Sequence, residues 1–201
     1  MKKILLILLV LFMFTACSNK QEEVASTEDS GSSACGIESC EDEDKATYKI
    51  AENQISLSEV VTKLENKESF VLYMYFDACP WCKELGPIVS DYLKDNEELL
   101  NITYALNVRP DGTKENDLRY KDDDGNFNNP EFETIYNFIY DQLDEDGVVY
   151  VPTLVFVKDG DLVYFHTGTV EGHDATERTL TDDEKQEIVD ELVAFYSIYN
   201  N

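Results

Sequence analysis

Residues Phe70 to Phe76 read Phe-Val-Leu-Tyr-Met-Tyr-Phe, an apolar, β-forming run with no polar–apolar alternation. Alternation marks a strand with one wet face, and its absence marks a strand covered on both. A strand of that kind needs helices above and below it, which commits the chain to a layered α/β fold. Directly behind the run stand Asp77-Ala78-Cys79-Pro80-Trp81-Cys82-Lys83. Two thiols three positions apart therefore sit where a buried strand hands over to a helix.

The flanking sequence supplies the rest of such a domain. A short strand is expected around Tyr48 to Ile50. Ser56, with Glu59 three residues on, reads as a capping box ahead of Leu57, Val60, Val61 and Leu64 at helical spacing. After Cys82 a helix should run to about Asn96, followed by a strand from Ile102 to Val108 and a helix from Phe132 to Leu143. A polar insertion, about 110–130, precedes that third helix. Val151 to Val157, an Asp159-Gly160 turn and Leu162 to His166 form an expected hairpin, and Asp182 to Tyr199 a final helix. The order β-α-β-α-β-α-β-β-α predicts a mixed central sheet with helices on both faces, spanning residues 46–201.

The N-terminus sets the compartment. Lys2 and Lys3 precede an apolar run from Ile4 to Phe14, then Thr15, Ala16 and Cys17, which is a signal peptide's layout over residues 1–16. The run is well short of the roughly 20 residues that cross a bilayer. Phe14-Thr15-Ala16-Cys17 resembles a bacterial lipoprotein box, which makes Cys17 the expected lipidation site and the extracytoplasmic face of a bacterial cell membrane the expected location. Residues 17–45 are rich in Ser, Gly, Glu and Asp with few large apolar side chains, the composition of a tether that cannot bury enough surface to order itself. The formal charge of −26 repels phosphate backbones and anionic headgroups, so nucleic acid is excluded as a partner and membrane contact falls to the lipid.

At a helix start the backbone N–H groups lack intrahelical partners and the positive end of the dipole is near. Both favour a Cys79 thiolate, the attacking species in thiol exchange. Pro80 fits the first helical position. Cys82, one turn further in, suits the resolving role, and Trp81 is expected at the surface against a substrate chain. Asp77 opposes the helix effect by raising the Cys79 pKa.

Cys79-Pro80-Trp81-Cys82-Lys83 followed by Pro87 resembles the active-site helix of the thioredoxin superfamily, and Val151-Pro152-Thr153 resembles its cis-proline loop. The resemblance, over about Tyr48 to Tyr199, implies a thioredoxin-like fold, redox catalysis by Cys79 and Cys82 without a cofactor or metal, and substrate binding along Trp81, Val151, Pro152 and Gly168. It implies cysteine-containing exported proteins or peptides as partners, together with a redox partner protein. Within the superfamily, the export signal and the insertion resemble the bacteriocin transport accessory-type proteins of Gram-positive bacteria. One departure stands out: Tyr73 occupies the strand position where typical thioredoxins carry a buried Asp, leaving Tyr73, Asp77, Glu84 or a water to accept the Cys82 proton. The expected activity is thiol–disulfide exchange in the reducing direction. An oxidase or isomerase on the same scaffold and a non-catalytic accessory protein that binds secreted peptides are the alternatives.

Two weaker patterns remain. Cys35 and Cys40 in the tether read as a second disulfide. Asp122, Asp124, Asn126 and Glu133 fall on calcium-loop positions, but Phe127 stands where the loop's sharp turn needs glycine.

Overall fold

The structure, a computed structural model, describes residues 48–199. The expected signal peptide, Cys17 and the Cys35/Cys40 pair lie outside the described residues. β1 (Phe70–Tyr75) pairs in parallel with β2 (Thr103–Asn107) on one side and antiparallel with β3 (Thr153–Lys158) on the other. β4 (Asp161–Thr167) closes the sheet against β3, giving the order β2-β1-β3-β4. This is the thioredoxin-like arrangement, a mixed sheet with helices on both faces.

Every residue of β1 is buried, and its two faces enter different cores. Val71, Tyr73 and Tyr75 join α2 (Pro80–Leu93) and α5 (Asp182–Tyr199) through Leu85, Val89 and Leu192. Phe70, Leu72 and Met74 join α1 (Leu57–Glu65) and α4 (Pro130–Ile139) through Val60, Phe132 and Ile135. Successive strand side chains point to opposite faces, so a two-sided core leaves no position in β1 for a polar residue. At roughly 1.5–3 kcal/mol for each large apolar side chain removed from water, this strand contributes more per residue than any surface element can.

Three elements differ from the sequence expectation. Tyr48 to Ile50 forms no strand: Lys49–Glu52 is a 3-10 helix, with Tyr48 O accepting from Ala51 N and Ile50 N donating to Ser90 Oγ of α2 at 2.9 Å. Edge pairing to β2 comes later, as a single parallel bridge between Gln54 and Ala105. A strand would have turned one of Ile50 and Ala51 outward, and the helical turn buries both. The helix after Cys82 ends at Leu93, and a separate α3 (Glu97–Ile102) starts where the Asn96 side chain caps Leu99 N. The helix expected from Phe132 to Leu143 starts at Pro130 and finishes as a 3-10 turn, Tyr140–Gln142.

The β3–β4 hairpin turns through Asp159 (φ 53°) and Gly160 (φ 85°), the two consecutive left-handed residues that match a tight turn to the strand twist. A Cβ on Gly160 would stand 2.6 Å from Lys67 Cβ, whereas one on Gly112, also left-handed at φ 75°, would meet nothing within 4 Å. Both Gly160→Ala and Gly112→Ala should lose about 1–2 kcal/mol from left-handed strain alone. Gly160→Ala should lose measurably more in urea unfolding, and equal losses would mean that Lys67 yields freely.

Candidate active site

β1 ends at Tyr75, and a turn closed by Cys79 N donating to Phe76 O at 3.1 Å delivers the first thiol to the start of α2. Cys79 is the N-cap of that helix, with extended backbone (φ −71°, ψ 117°), and its Sγ accepts from Cys82 N at 3.2 Å. Pro80 takes the first helical position, where it has no N–H to leave unsatisfied, and Pro87 lies inside the same helix. Both thiols are free. Cys82 is fully buried; Cys79 is only 2% exposed yet lines a groove of about 1030 Å³. The Cys79 sulfur is reached from that groove and not from open surface.

The Val151–Pro152 peptide is cis, and the loop it begins lies against Cys79, whose Sγ donates to Val151 O at 3.6 Å. Trp81, Val151 and Gly168 share the groove wall with Cys79. Pro152 is buried and does not line it; its carbonyl accepts from Gly168 N at 2.8 Å and so ties the two loops together. Trp81 is half-buried, its indole held by a hydrogen bond from Nε1 to His173 O at 3.3 Å. The structure thus brings together all the expected site residues among those it describes, with Cys82 and Pro152 one layer behind the wall.

The two thiols are electrostatically unequal. A hydrogen bond from the Cys82 thiol, helped by the amides of Cys82 and Trp81 and by the Arg119 guanidinium, outweighs burial and holds the Cys79 pKa below the ordinary thiol value. Burial, reinforced by the hydrogen bond to Cys79 and its charge, pushes Cys82 far up. Asp77 is not among the leading influences on Cys79, and its carboxylate accepts from Asn107 Nδ2 at 3.2 Å.

The candidate acceptors for the Cys82 proton are placed elsewhere. Tyr73 is wholly buried, its phenol driven well above 10 by burial, and its hydroxyl donates to the Cys82 carbonyl at 3.2 Å. It is a neutral donor and not a base. Glu84 accepts from Leu180 N at 3.2 Å. Behind Cys82, Tyr73 stacks on Tyr75 with Tyr48 edge-on to both, a ring cluster where a carboxylate was the familiar solution.

The insertion supplies a part of the site that the motif reading missed. Leu118 N returns to Val108 O at 2.8 Å, folding the segment back over the end of β2. Asp117, 4% exposed, receives Arg109 Nε at 2.6 Å and the Arg119 fork at 2.9 and 2.7 Å. Burial pushes its pKa up, but these hydrogen bonds prevail and hold it below the usual carboxylate range. Arg119 also donates to Val149 O at 2.9 Å, and the Arg109 guanidinium lies 4.0 Å over the Phe76 ring. One signal was available: two of the chain's three arginines, Arg109 and Arg119, stand at the edge of and within the insertion of a strongly acidic protein. The calcium-like segment resolves as a turn, with Asp122 accepting from Asn126 N and Phe127 packed on Phe132 and Tyr136.

No family model matches the chain, and no curated protein does. Among solved structures, one from work on thiol resolving in yeast mitochondrial 1-Cys peroxiredoxin via glutathione and thioredoxin systems is similar over 64% of this chain and 92% of its own. The identity is 16% and the TM-score 0.33. Thioredoxin O2 from Arabidopsis thaliana in its oxidised state is similar over 61% of this chain and 82% of its own, at 15% identity and a TM-score of 0.32.

Because only the thiolate is alkylated, the iodoacetamide rate of Cys79 should follow its ionised fraction, falling tenfold per pH unit below the pKa and flattening above it. The inflection should lie below about 8.5, the free-thiol value. Cys82→Ala, which deletes the main donor, should move it up, while Cys82→Ser keeps a donor and should move it less. An inflection that stays put or drops in Cys82→Ala would show that the Cys82 thiol is not the principal stabiliser.

Proposed function

We propose that this chain is a thiol–disulfide oxidoreductase that acts through Cys79 and Cys82 in the reducing direction. The observation that carries the reading is the Cys79 sulfur itself: it caps a helix, lines a groove, is biased towards the thiolate, and has a protonated thiol buried in the same turn.

In the proposed reaction the Cys79 thiolate attacks one sulfur of a substrate disulfide. The substrate S–S bond breaks, one sulfur leaves as a thiolate, and the other stays bound to Cys79. Cys82 loses its proton and attacks Cys79 Sγ, forming the Cys79–Cys82 disulfide and releasing the second substrate thiolate. The two protons of the dithiol end on the substrate thiols, so the substrate gains the two electrons that the pair loses. An external dithiol protein, the proposed redox partner, returns the pair to its reduced form.

Trp81, Val151 and Gly168 are the proposed contacts for the substrate chain, with Pro152 holding the loop behind them. The N-terminal sequence supports the rest of the reading: a signal peptide over 1–16, lipid on Cys17, and an acidic tether over 17–45 carrying a Cys35–Cys40 disulfide. The domain from residue 46 would then work at the extracytoplasmic face of a bacterial membrane on cysteine-containing exported proteins or peptides. The resemblance to bacteriocin transport accessory-type proteins fits that placement.

The reducing direction is supported by what stabilises the Cys79 thiolate. The leading donors are a neutral thiol and backbone amides, and Arg119 is shared with Asp117 and Val149 O. Neutral donors stabilise an anion less than an unshared cation does, which favours a reductant over a potent oxidant in this proposal. The second reading, oxidase or isomerase, draws on the same lowered Cys79 pKa, which favours the dithiol to some degree.

Cys82→Ser should accumulate mixed disulfides with substrate proteins on Cys79, visible on non-reducing gels and absent from the double Cys79→Ser, Cys82→Ser variant. No accumulation would refute turnover by this route. Equilibration of the wild-type pair against glutathione should give a potential near that of reducing thioredoxins, about −270 mV. A value at or above about −180 mV would establish the second reading instead.

A further inference from the structure

The groove beside Cys79 is far larger than a disulfide requires, at about 1030 Å³, the upper end of the range that encloses a whole small-molecule ligand. It reaches from the cis-proline loop to the insertion, and its charge departs from that of the rest of the protein. The chain carries a formal −26, yet this wall holds Arg109, Arg119 and Lys121 against only two carboxylates, Asp117 and Asp146. Both carboxylates are occupied from within: Asp117 by the two guanidinium groups, Asp146 by Val148 N at 2.9 Å and the Tyr150 hydroxyl at 2.7 Å.

Lys121 is held by rings, and Arg109 by a ring as well as an acid. Lys121 Nζ lies 4.1 Å from the Tyr136 ring centre and 4.5 Å from that of Phe127, with no carboxylate partner among the described residues. Arg109 donates to Asp117 through Nε alone, and its outer nitrogens have no hydrogen bond among the described residues while the guanidinium rests on Phe76. Aromatic faces fix a cation in place without neutralising its charge. The result is a preorganised pair of positive groups on an otherwise negative protein, sharing one groove with the reacting sulfur.

We propose that Arg109 and Lys121 form a specificity subsite for an acidic side chain, Asp or Glu, lying within a few residues of the substrate's reacting cysteine on an extended polypeptide. The inference rests on the oxidoreductase reading and adds the substrate class. A polypeptide is favoured over a small thiol because, besides the rings beneath the cations, the groove is lined by Trp81 and Tyr150, apolar area that a compact acid leaves uncovered. The protein's long-range field opposes an acidic substrate, but exposed charges are screened beyond about 8 Å at physiological salt, so the contact pairs at the wall decide the preference.

The test uses full-length protein and one disulfide-containing peptide scaffold with Glu, Gln or Lys beside the reacting cysteine, reading kcat/KM for reduction. The Glu peptide should exceed the Lys peptide by about fivefold to tenfold at low salt, with Gln between, and the ratio should shrink as salt rises. Lys121→Gln and Arg109→Gln should each bring the ratio towards one. Lys121 is exposed and lies outside the buried ion pair, so its variant is informative even if Arg109→Gln fails to fold, and Lys121→Arg should restore the preference. Equal rates for the three peptides would overturn the subsite and leave the oxidoreductase reading standing. Failure to reduce any peptide would overturn both. A ratio unchanged in Lys121→Gln, or an acid preference confined to glutathione disulfide, would overturn the polypeptide assignment.

Discussion

The hydrogen bond from Cys82 N to Cys79 Sγ, at 3.2 Å, makes one sulfur both the cap of α2 and the proposed reacting atom of the site. Helix caps are usually oxygens of Ser, Thr, Asp or Asn, and a neutral sulfur is a weaker acceptor than any of them. Ionisation reverses that ranking: a thiolate draws charge-assisted hydrogen bonds and the favourable end of the helix dipole. The helix start is therefore better satisfied in the state that reacts. The same turn carries Cys82, whose thiol donates to the anion and is itself held protonated by burial. Local folding and asymmetric reactivity have one cause.

That sulfur can only be where it is because β1 is where it is. β1 is held in register by β2 and β3 and gripped by both helical layers, so the turn from Phe76 to Cys79 has no freedom to slide. The opposite wall is fixed independently, by Gly168 N bonding Pro152 O where β3 and β4 end side by side. Tyr73 joins the two requirements, filling the core from β1 while its hydroxyl holds the Cys82 carbonyl. A carboxylate at that position would serve proton transfer at the cost of a charge in the core; the phenol is neutral and contributes packing and a donor.

Much of this was legible in the sequence, for a reason that also marks its limit. The unalternating run of β1, the capping box at Ser56 and Glu59, the Asp159-Gly160 turn and the Cys79/Cys82 spacing are local patterns with local causes, and each appears as read. Tyr48 to Ile50 went wrong because its conformation is decided by Ser90, forty residues away, which takes the Ile50 amide out of any sheet. The arginine cluster was invisible for the same kind of reason. Asp117 and Arg119 meet Arg109 only after the insertion returns to Val108, and Arg119 finds Val149 on another loop altogether. No period or spacing records such a closure.

Net charge misleads in a related way. A formal −26 is a property of the whole chain, whereas a sulfur responds to groups within a few ångströms, since more distant exposed charges are screened. Among the groove's cations, Asp117 serves two arginines at once. Without it, two guanidinium groups around one aromatic ring would repel each other; with it, the cluster keeps a net positive charge in a fixed orientation beside Cys79. Breaking a buried pair by removing one partner typically costs about 3–5 kcal/mol because the other charge is left uncompensated. The insertion is thus bound to the scaffold by three side chains, one of which, Arg119, also adds to the donors that lower the Cys79 pKa, so its folding and its electrostatic contribution are linked.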